Sequence, residues 1–321
     1  MCKLLESKAS NQILINAFHN PSLSRENVLS HHKEFILKYS KYCIVLLILA
    51  LCSVTASAGS YLRVLSWNAL HMGWSGQTDW AGYAEQVWED FGTSSSSSNG
   101  LDLIFLQEVM YSSSASSFVS ALETESGYDW SYSVTSAIGR SSYKERYLVV
   151  YRTDRVTLLS AYVYNDTNDD FAREPQIVKV RHKQTGADYT FINWHAIFGT
   201  TSERRAEIEA MALVFDDIQD SDTSDEDVIL LGDHNRSATS NYWDDLEALS
   251  PAVSYKVNDD TTINTSCAYA NPYDHFWYQS TYVTEYSSSG RDYISNMCNF
   301  RNDLSDHAPI WIKLYSNSDG D

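Results

Sequence analysis

VILLGDHN, residues 228–235, is the stretch from which the rest of the chain can be read. Four consecutive apolar residues describe a short buried strand, and the Gly-Asp-His-Asn that follows ends it in a turn carrying a carboxylate, an imidazole and an amide. The same pattern recurs as LRVLSWN at 62–68, LDLIFLQE at 101–108 and YTFINWH at 189–195, and in reversed order as SDHAPIWIKLY at 305–315. RYLVVYR at 146–152 and QIVKV at 176–180 are further strand-like runs. Between them, residues 202–219 place Ile208, Met211, Phe215 and Ile218 at helical spacing, with weaker helical patterns at 82–91 and 116–125. The Ser-rich stretches at 94–98, 112–117 and 287–289 read as loops. Strands separated by helices and loops predict an α/β domain.

The chain has 321 residues, 43% of them apolar and 20% charged, enough for one large domain or two small ones. A net charge of −19, spread along the chain, excludes a protein that clings to nucleic acid through a broadly basic surface. It does not exclude a nuclease, which needs a few local cations and bound metal. YCIVLLILALC at 42–52 is an uncharged run of eleven, preceded by Lys33, Lys38 and Lys41 and followed by Ala56-Ser57-Ala58. That is a signal-peptide pattern, with a signal anchor as the alternative, although a membrane-spanning helix needs about 20 apolar residues. The expected organisation is an N-terminal extension at 1–41 without assigned function, a signal region at 42–58 and a single domain at 59–321. Without residues 1–58 the chain holds 17 basic and 39 acidic residues, a net charge of −22, and Cys267 and Cys298 are its remaining cysteines. An even pair in an oxidising compartment predicts one disulfide and a secreted protein.

The polar residues at strand ends carry the chemistry. Asn68, Gln107-Glu108, His195, Asp233-His234-Asn235 and Ser305-Asp306-His307 each adjoin an apolar run. Taken singly, each is an ordinary turn residue. Together they supply carboxylates, amides and imidazoles to one rim, the set that phosphodiester hydrolysis requires.

In this order the residues resemble the endonuclease/exonuclease/phosphatase superfamily, with its SWN-like first strand, QE after the second, GDxN and terminal SDH. YKERYLVVYR at 143–152 and FAREPQIVKV at 171–180 are similar to the deoxyribonuclease I branch, and the likeness spans about 61–315. The resemblance implies a four-layer α/β/β/α sandwich of two packed, mainly antiparallel sheets with the active site at one end. It implies Glu108 and Asp306 as main metal ligands, with Asn68 and Asp233 sharing that task or orienting phosphate. Hard oxygen ligands favour Mg²⁺ or Mn²⁺, and the acidic loops Asp166–Asp170 and Asp259–Thr262 fall where structural Ca²⁺ is expected. His195 oriented by Glu145 becomes the expected general acid, and His307 held by Asp274 the expected general base. Asn235 would donate to the pentacovalent phosphate, Arg173 and Arg146 would contact phosphate, and Tyr143 would pack on a sugar.

The function so implied is a secreted, monomeric, metal-dependent endonuclease acting on nucleic acid, DNA in the first place, without stable membrane association once the signal is removed. Departures bear on substrate: Met110 and Leu70 stand where groove-reading arginines are expected, and GDHN stands for GDFN. The rival readings are a sphingomyelinase-like or other phosphodiesterase on the same scaffold, for which Trp74 and Trp80 would suit a lipid interface, and a catalytically silent binding protein. Asn165-Asp-Thr and Asn264-Thr-Ser are glycosylation sequons.

Overall fold

The computed structural model describes residues 61–94, 100–221 and 227–315, all within one unit, Gly59–Asp321. The expected extension, apolar run and cleavage site lie outside the described residues. Two six-stranded sheets form. One runs β11 (Tyr286–Arg291), β12 (Ile310–Tyr315), β1 (Tyr61–Met72), β2 (Leu103–Val109), β4 (Arg146–Arg152), β3 (Trp130–Val134). The other runs β5 (Val156–Val163), β6 (Gln176–His182), β7 (Asp188–Asn193), β8 (Val228–Asp233), β10 (Asp274–Gln279), β9 (Val253–Lys256). Each sheet is antiparallel except at its centre, where β1 pairs parallel with β2 and β7 with β8. A parallel pair needs a crossover, and helices α1 (Trp80–Ser94) and α3 (Thr201–Ser221) supply the two.

Alternation along the strands sorts side chains into three apolar layers. Val64 and Phe105 of the first sheet meet Val178, Phe191 and Leu231 of the second in the core between them. On the outer face of the first sheet, Leu65, Trp67 and Leu106 pack against Tyr83 and Val87 of α1 and Phe118 and Leu122 of α2 (Ser112–Ser126). On the outer face of the second, Ile192, Leu230 and Trp277 pack against Ile208, Met211 and Phe215 of α3. The result is the four-layer sandwich. Burying one such large side chain contributes about 1.5–3 kcal/mol, so these layers dominate the fold's stability.

Two Ser-rich stretches are not loops. Residues 112–117 open α2, whose Ser114, Ala115, Phe118 and Leu122 are buried. Residues 287–289 lie in β11, an edge strand held by its backbone ladder with β12, which needs no apolar side chains on a half-exposed surface. A short helix α4 (Asp244–Glu247) precedes β9, and α5 (Met297–Asp303) precedes β12. Cys267 and Cys298 are bonded, Cα atoms 4.9 Å apart, tying the segment before β10 to α5. No helix among the described residues is long and apolar enough to cross a membrane.

Candidate active site

The inward series on each central strand ends in a polar residue at the same end of the sandwich. Leu62, Val64 and Ser66 lead to Asn68; Leu103 and Phe105 to Gln107; Tyr189, Phe191 and Asn193 to His195; Ile229 and Leu231 to Asp233; Tyr278 and Phe276 to Asp274. Below the rim lies a buried polar floor. Gln107 Nε2 donates to Ser66 Oγ (3.2 Å) and Asn193 Oδ1 (2.8 Å), and Asn193 Nδ2 donates to Gln176 Oε1 (3.2 Å). Above it, the backbone turns sharply. Leu70, His71, Glu108 and Asn235 have φ of 37°, 55°, 57° and 51°, each costing about 1–3 kcal/mol and persisting where the surroundings over-determine it. Gly232 (φ 135°) is required, because a Cβ there would collide with the backbone carbonyl of Trp194.

Asp233 is the hub. Its Oδ2 accepts from Asn68 Nδ2 at 2.9 Å and lies 3.5 Å from Nε2 of both His195 and His307. Its Oδ1 accepts from Asn235 N at 2.9 Å. Behind the imidazoles stand two carboxylates at equal distance: His195 Nδ1 is 2.8 Å from Glu145 Oε1 and His307 Nδ1 is 2.8 Å from Asp274 Oδ2. Each pair bridges the sheets, since Glu145 precedes β4 while His195 follows β7, and Asp274 opens β10 while His307 precedes β12.

Electrostatically the pairs differ. Burial, reinforced by the Arg173 guanidinium, holds His195 down to about 4. Burial pushes Glu145 up to about 7 against the opposing pull of Arg173, whose Nη1 is 3.6 Å from Glu145 Oε2. Burial would lower His307 as well, but Asp274 and Asp233 outweigh it and raise this imidazole well above its ordinary value. A carboxylate partner was expected to favour the imidazolium at His195. Burial of the imidazole, together with the cation on the far side of Glu145, is the reason it does not.

At the mouth, Glu108 Oε1 accepts from Asn68 Nδ2 (3.1 Å), while Oε2 accepts from Tyr143 Oη (3.3 Å) and His71 N (3.2 Å). Two groups could each hold a cation: Glu108, Glu145 and His195, and Asp233, Asp274 and His307. Their hard carboxylate oxygens fit a divalent ion. Asn68 spends its Nδ2 on two carboxylates and its Oδ1 on Leu70 N (3.0 Å), the pattern of an orienting residue. Asp306 lines the same cleft of about 560 Å³, its carboxylate 4.0 Å from Arg301.

Arg173 and Tyr143 also line that cleft, and Arg173 anchors itself by donating Nε to His195 O (3.0 Å) and Nη2 to Ala196 O (2.7 Å). Asn235 donates Nδ2 to Ala196 O at 2.9 Å. Arg146 is not among the lining residues; its Nη1 donates to Met110 O at 2.6 Å. Several supporting residues escaped the sequence reading. Thr261, read as part of an acidic calcium loop, is buried and donates Oγ1 to Asp274 Oδ2 at 2.5 Å. Ser305 donates to Asn68 O (2.6 Å) and accepts from His307 N (3.0 Å), Trp67 Nε1 donates to His307 O (2.6 Å), and Tyr147 Oη accepts from His195 N (3.0 Å). Trp67 and Ser305 sit inside the SWN and SDH motifs, where a signal existed. Tyr147 sits likewise inside YKERYLVVYR, and Thr261 had no such signal.

No family model matches the chain. It is similar to a deoxyribonuclease of Thioalkalivibrio sp. (strain K90mix), 27% identical over 301 residues that cover 88% of this chain and 78% of the relative. It is also similar to deoxyribonuclease-1 of Equus caballus, 34% identical over 186 residues, 53% of this chain and 64% of the relative, just under two thirds of that enzyme's length. Among solved structures, an endonuclease/exonuclease/phosphatase family protein from Bacteroides thetaiotaomicron superposes with a TM-score of 0.56 at 16% identity, covering 79% of this chain and 97% of that one. D. rerio TDP2 complexed with a single-strand DNA product superposes with a TM-score of 0.54, also at 16% identity, covering 79% and 98%. The chain has the fold of the endonuclease/exonuclease/phosphatase proteins, and in sequence it is similar to deoxyribonucleases.

Proposed function

We propose that this chain is a secreted, monomeric, divalent-metal-dependent endonuclease that hydrolyses DNA phosphodiester bonds. The observation that carries the reading is the convergence of two imidazole–carboxylate pairs on Asp233, with Glu108 at the mouth beside the Glu145–His195 pair. One phosphodiester cleavage needs one proton removed from water and one delivered to the leaving oxygen, and two independently buttressed imidazoles meet both needs. The different protonation of the two imidazoles supports neutral His195 at the attacking water and protonated His307 at the leaving oxygen, the reverse of the roles implied by resemblance. Arg173 supplies positive charge beside the phosphoryl oxygens, and Asn235 keeps a second amide hydrogen for them. Mg²⁺ or Mn²⁺, held by Glu108 with Asp233 and Asp306, would supply Lewis-acid neutralisation of the developing charge. Structural Ca²⁺ has less support: Asp166 Oδ2 accepts from Phe171 N and Asp169 pairs with Arg140.

The lipid reading loses one of its tryptophans, because Trp80 packs against the outer core of the first sheet. Incubating purified protein with plasmid DNA, RNA and sphingomyelin, with and without excess EDTA, tests the proposal. Plasmid nicking that disappears in EDTA is expected. Undiminished cleavage in EDTA would remove the metal from the reading, and sphingomyelin hydrolysis without plasmid cleavage would replace the substrate.

A further inference from the structure

Beside the cleft, the end of β1 and the turn that follows it present two flat rings in parallel. His71 and Trp74 stack with centroids 4.4 Å apart and planes 20° from parallel. Tyr143 meets them edge-on, at 5.7 Å and 5.9 Å. The Tyr143 hydroxyl donates to Glu108, and His71 Nε2 itself lies 3.2 Å from Glu108 Oε2, so the ring pair adjoins the carboxylate at the cleft mouth. The turn is tied down by Gly73 N to Gln77 O (2.7 Å), Trp74 N to His71 O (2.9 Å) and Gln77 N to Trp74 O (2.8 Å). Core packing does not explain the arrangement: Trp74 is 38% exposed and the His71 side chain 34%, whereas Trp80, six residues on, does pack on the core.

We propose that the His71–Trp74 pair is a base-stacking platform, and that this enzyme takes an unpaired nucleotide next to the scissile phosphate, favouring single-stranded or frayed DNA over intact duplex. This rests on the phosphodiesterase reading and narrows its substrate. A base inside a duplex has both faces covered by its neighbours. It reaches a protein ring only by leaving the stack, at a cost of a few kcal/mol that a single strand does not incur. Base–aromatic stacking returns about 1–3 kcal/mol per base and tolerates any sequence. Charge acts in the same direction. The Lys and Arg residues lining the cleft are Arg173 and Arg301. Against 42 acidic and 23 basic residues in the chain, the phosphates of a second strand would find little counter-charge.

Two measurements separate this proposal from the reading beneath it. Hydrolysis of bis-p-nitrophenyl phosphate with Mn²⁺ tests phosphodiesterase chemistry without a base; if the protein does not hydrolyse it, the functional reading falls, and the binding arm still decides the platform. In that arm, the His195→Ala protein is titrated with fluorescein-labelled dT12 and with a blunt 12-base-pair duplex. Tighter binding of dT12 by about tenfold or more is expected, and adding Trp74→Ala should weaken dT12 by about 5- to 100-fold while moving the duplex by less than about twofold. Trp74→Phe, which keeps a ring, should retain most of the dT12 affinity and so distinguishes lost stacking from a collapsed turn. Equal affinity for both ligands, equal losses on both, or no rescue by Trp74→Phe would overturn the platform.

Discussion

The pairs Glu145–His195 and Asp274–His307 are alike in geometry, but the imidazole is held low in one and raised in the other. Each has an Nδ1–carboxylate distance of 2.8 Å, each crosses between the sheets, and each sets its Nε2 3.5 Å from the same oxygen of Asp233. What differs is the next neighbour. Arg173 lies against Glu145, so that pair already contains a cation and gains little by protonating His195. Asp274 has Thr261 instead, a neutral donor, and His307 is the group left to balance Asp274 and Asp233. A near-symmetric scaffold thus holds one imidazole low, where Arg173 reinforces burial, and the other high, where Asp274 and Asp233 outweigh it. The difference also shows that a histidine's charge cannot be read from its hydrogen-bonded partner alone.

Removing either imidazole should give the largest effect. His195→Ala and His307→Ala are each expected to lower kcat by about 10²- to 10⁴-fold while the protein stays folded by circular dichroism. Because both serve one proton inventory, the double variant should be little worse than the more damaging single one. Multiplicative losses in the double variant would show that the two pairs act separately, and near-wild-type kcat in either single variant would make that histidine structural.

Removing Arg173 sharpens the comparison, since it should make the pairs more alike. In metal-free protein, NMR titration is expected to find His195 neutral from about pH 4 upward while His307 stays protonated well above the ordinary histidine range. The linked stabilities run in opposite senses. Depressed His195 contributes stability that is present above its unfolded value of 6.5 and is lost as pH falls toward about 4. Raised His307 contributes stability that is full below 6.5 and is lost as pH rises through its folded value. Arg173→Gln should move the His195 midpoint upward, leave His307 nearly unmoved, and cost about 3 kcal/mol by stranding buried Glu145. An unmoved His195 would mean that burial alone neutralises it.

The strand ends were legible because period-two alternation carries a chemical consequence: inward runs such as Ile229–Leu231 must deliver Asp233 to the gap between the sheets. The disulfide was legible because only Cys267 and Cys298 follow the apolar run. Edge strand β11 was not, since its Ser-rich sequence pairs through backbone and leaves no apolar trace. The roles of Thr261 and Arg146 were hidden for another reason. Each depends on where a loop or side chain turns in space, Thr261 toward Asp274 and Arg146 toward Met110 O, and neither direction is encoded in local spacing. The charge of His195 needed the position of Arg173, 22 residues away along the chain.

A third imidazole shows what burial does without a carboxylate, and gives the smallest expected effect. His234, between Asp233 and Asn235, is fully enclosed, and neither ring nitrogen has a hydrogen-bond partner among the described residues. Its surroundings are aromatic: Trp194 at 5.5 Å, Trp243 at 5.3 Å and His275 at 5.7 Å between centroids. Burial, with the neighbouring His275 and His195 imidazoles, holds it well below the ordinary histidine range. It therefore works as a flat apolar plate with two unsatisfied polar atoms, each a cost rather than a gain. His234→Phe keeps the ring and removes those atoms, and is expected to raise stability at pH 7 by about 1 kcal/mol, or a few degrees in Tm. Because the folded protein resists protonating His234 while the unfolded chain takes up that proton below its unfolded value of 6.5, the wild type should lose stability faster than H234F as pH falls toward 5. Thermal melts of both proteins at pH 7 and pH 5 decide it. A lower Tm for H234F at pH 7, or a gap that fails to widen at pH 5, would mean that a polar partner reaches this ring and that burial alone does not set its charge.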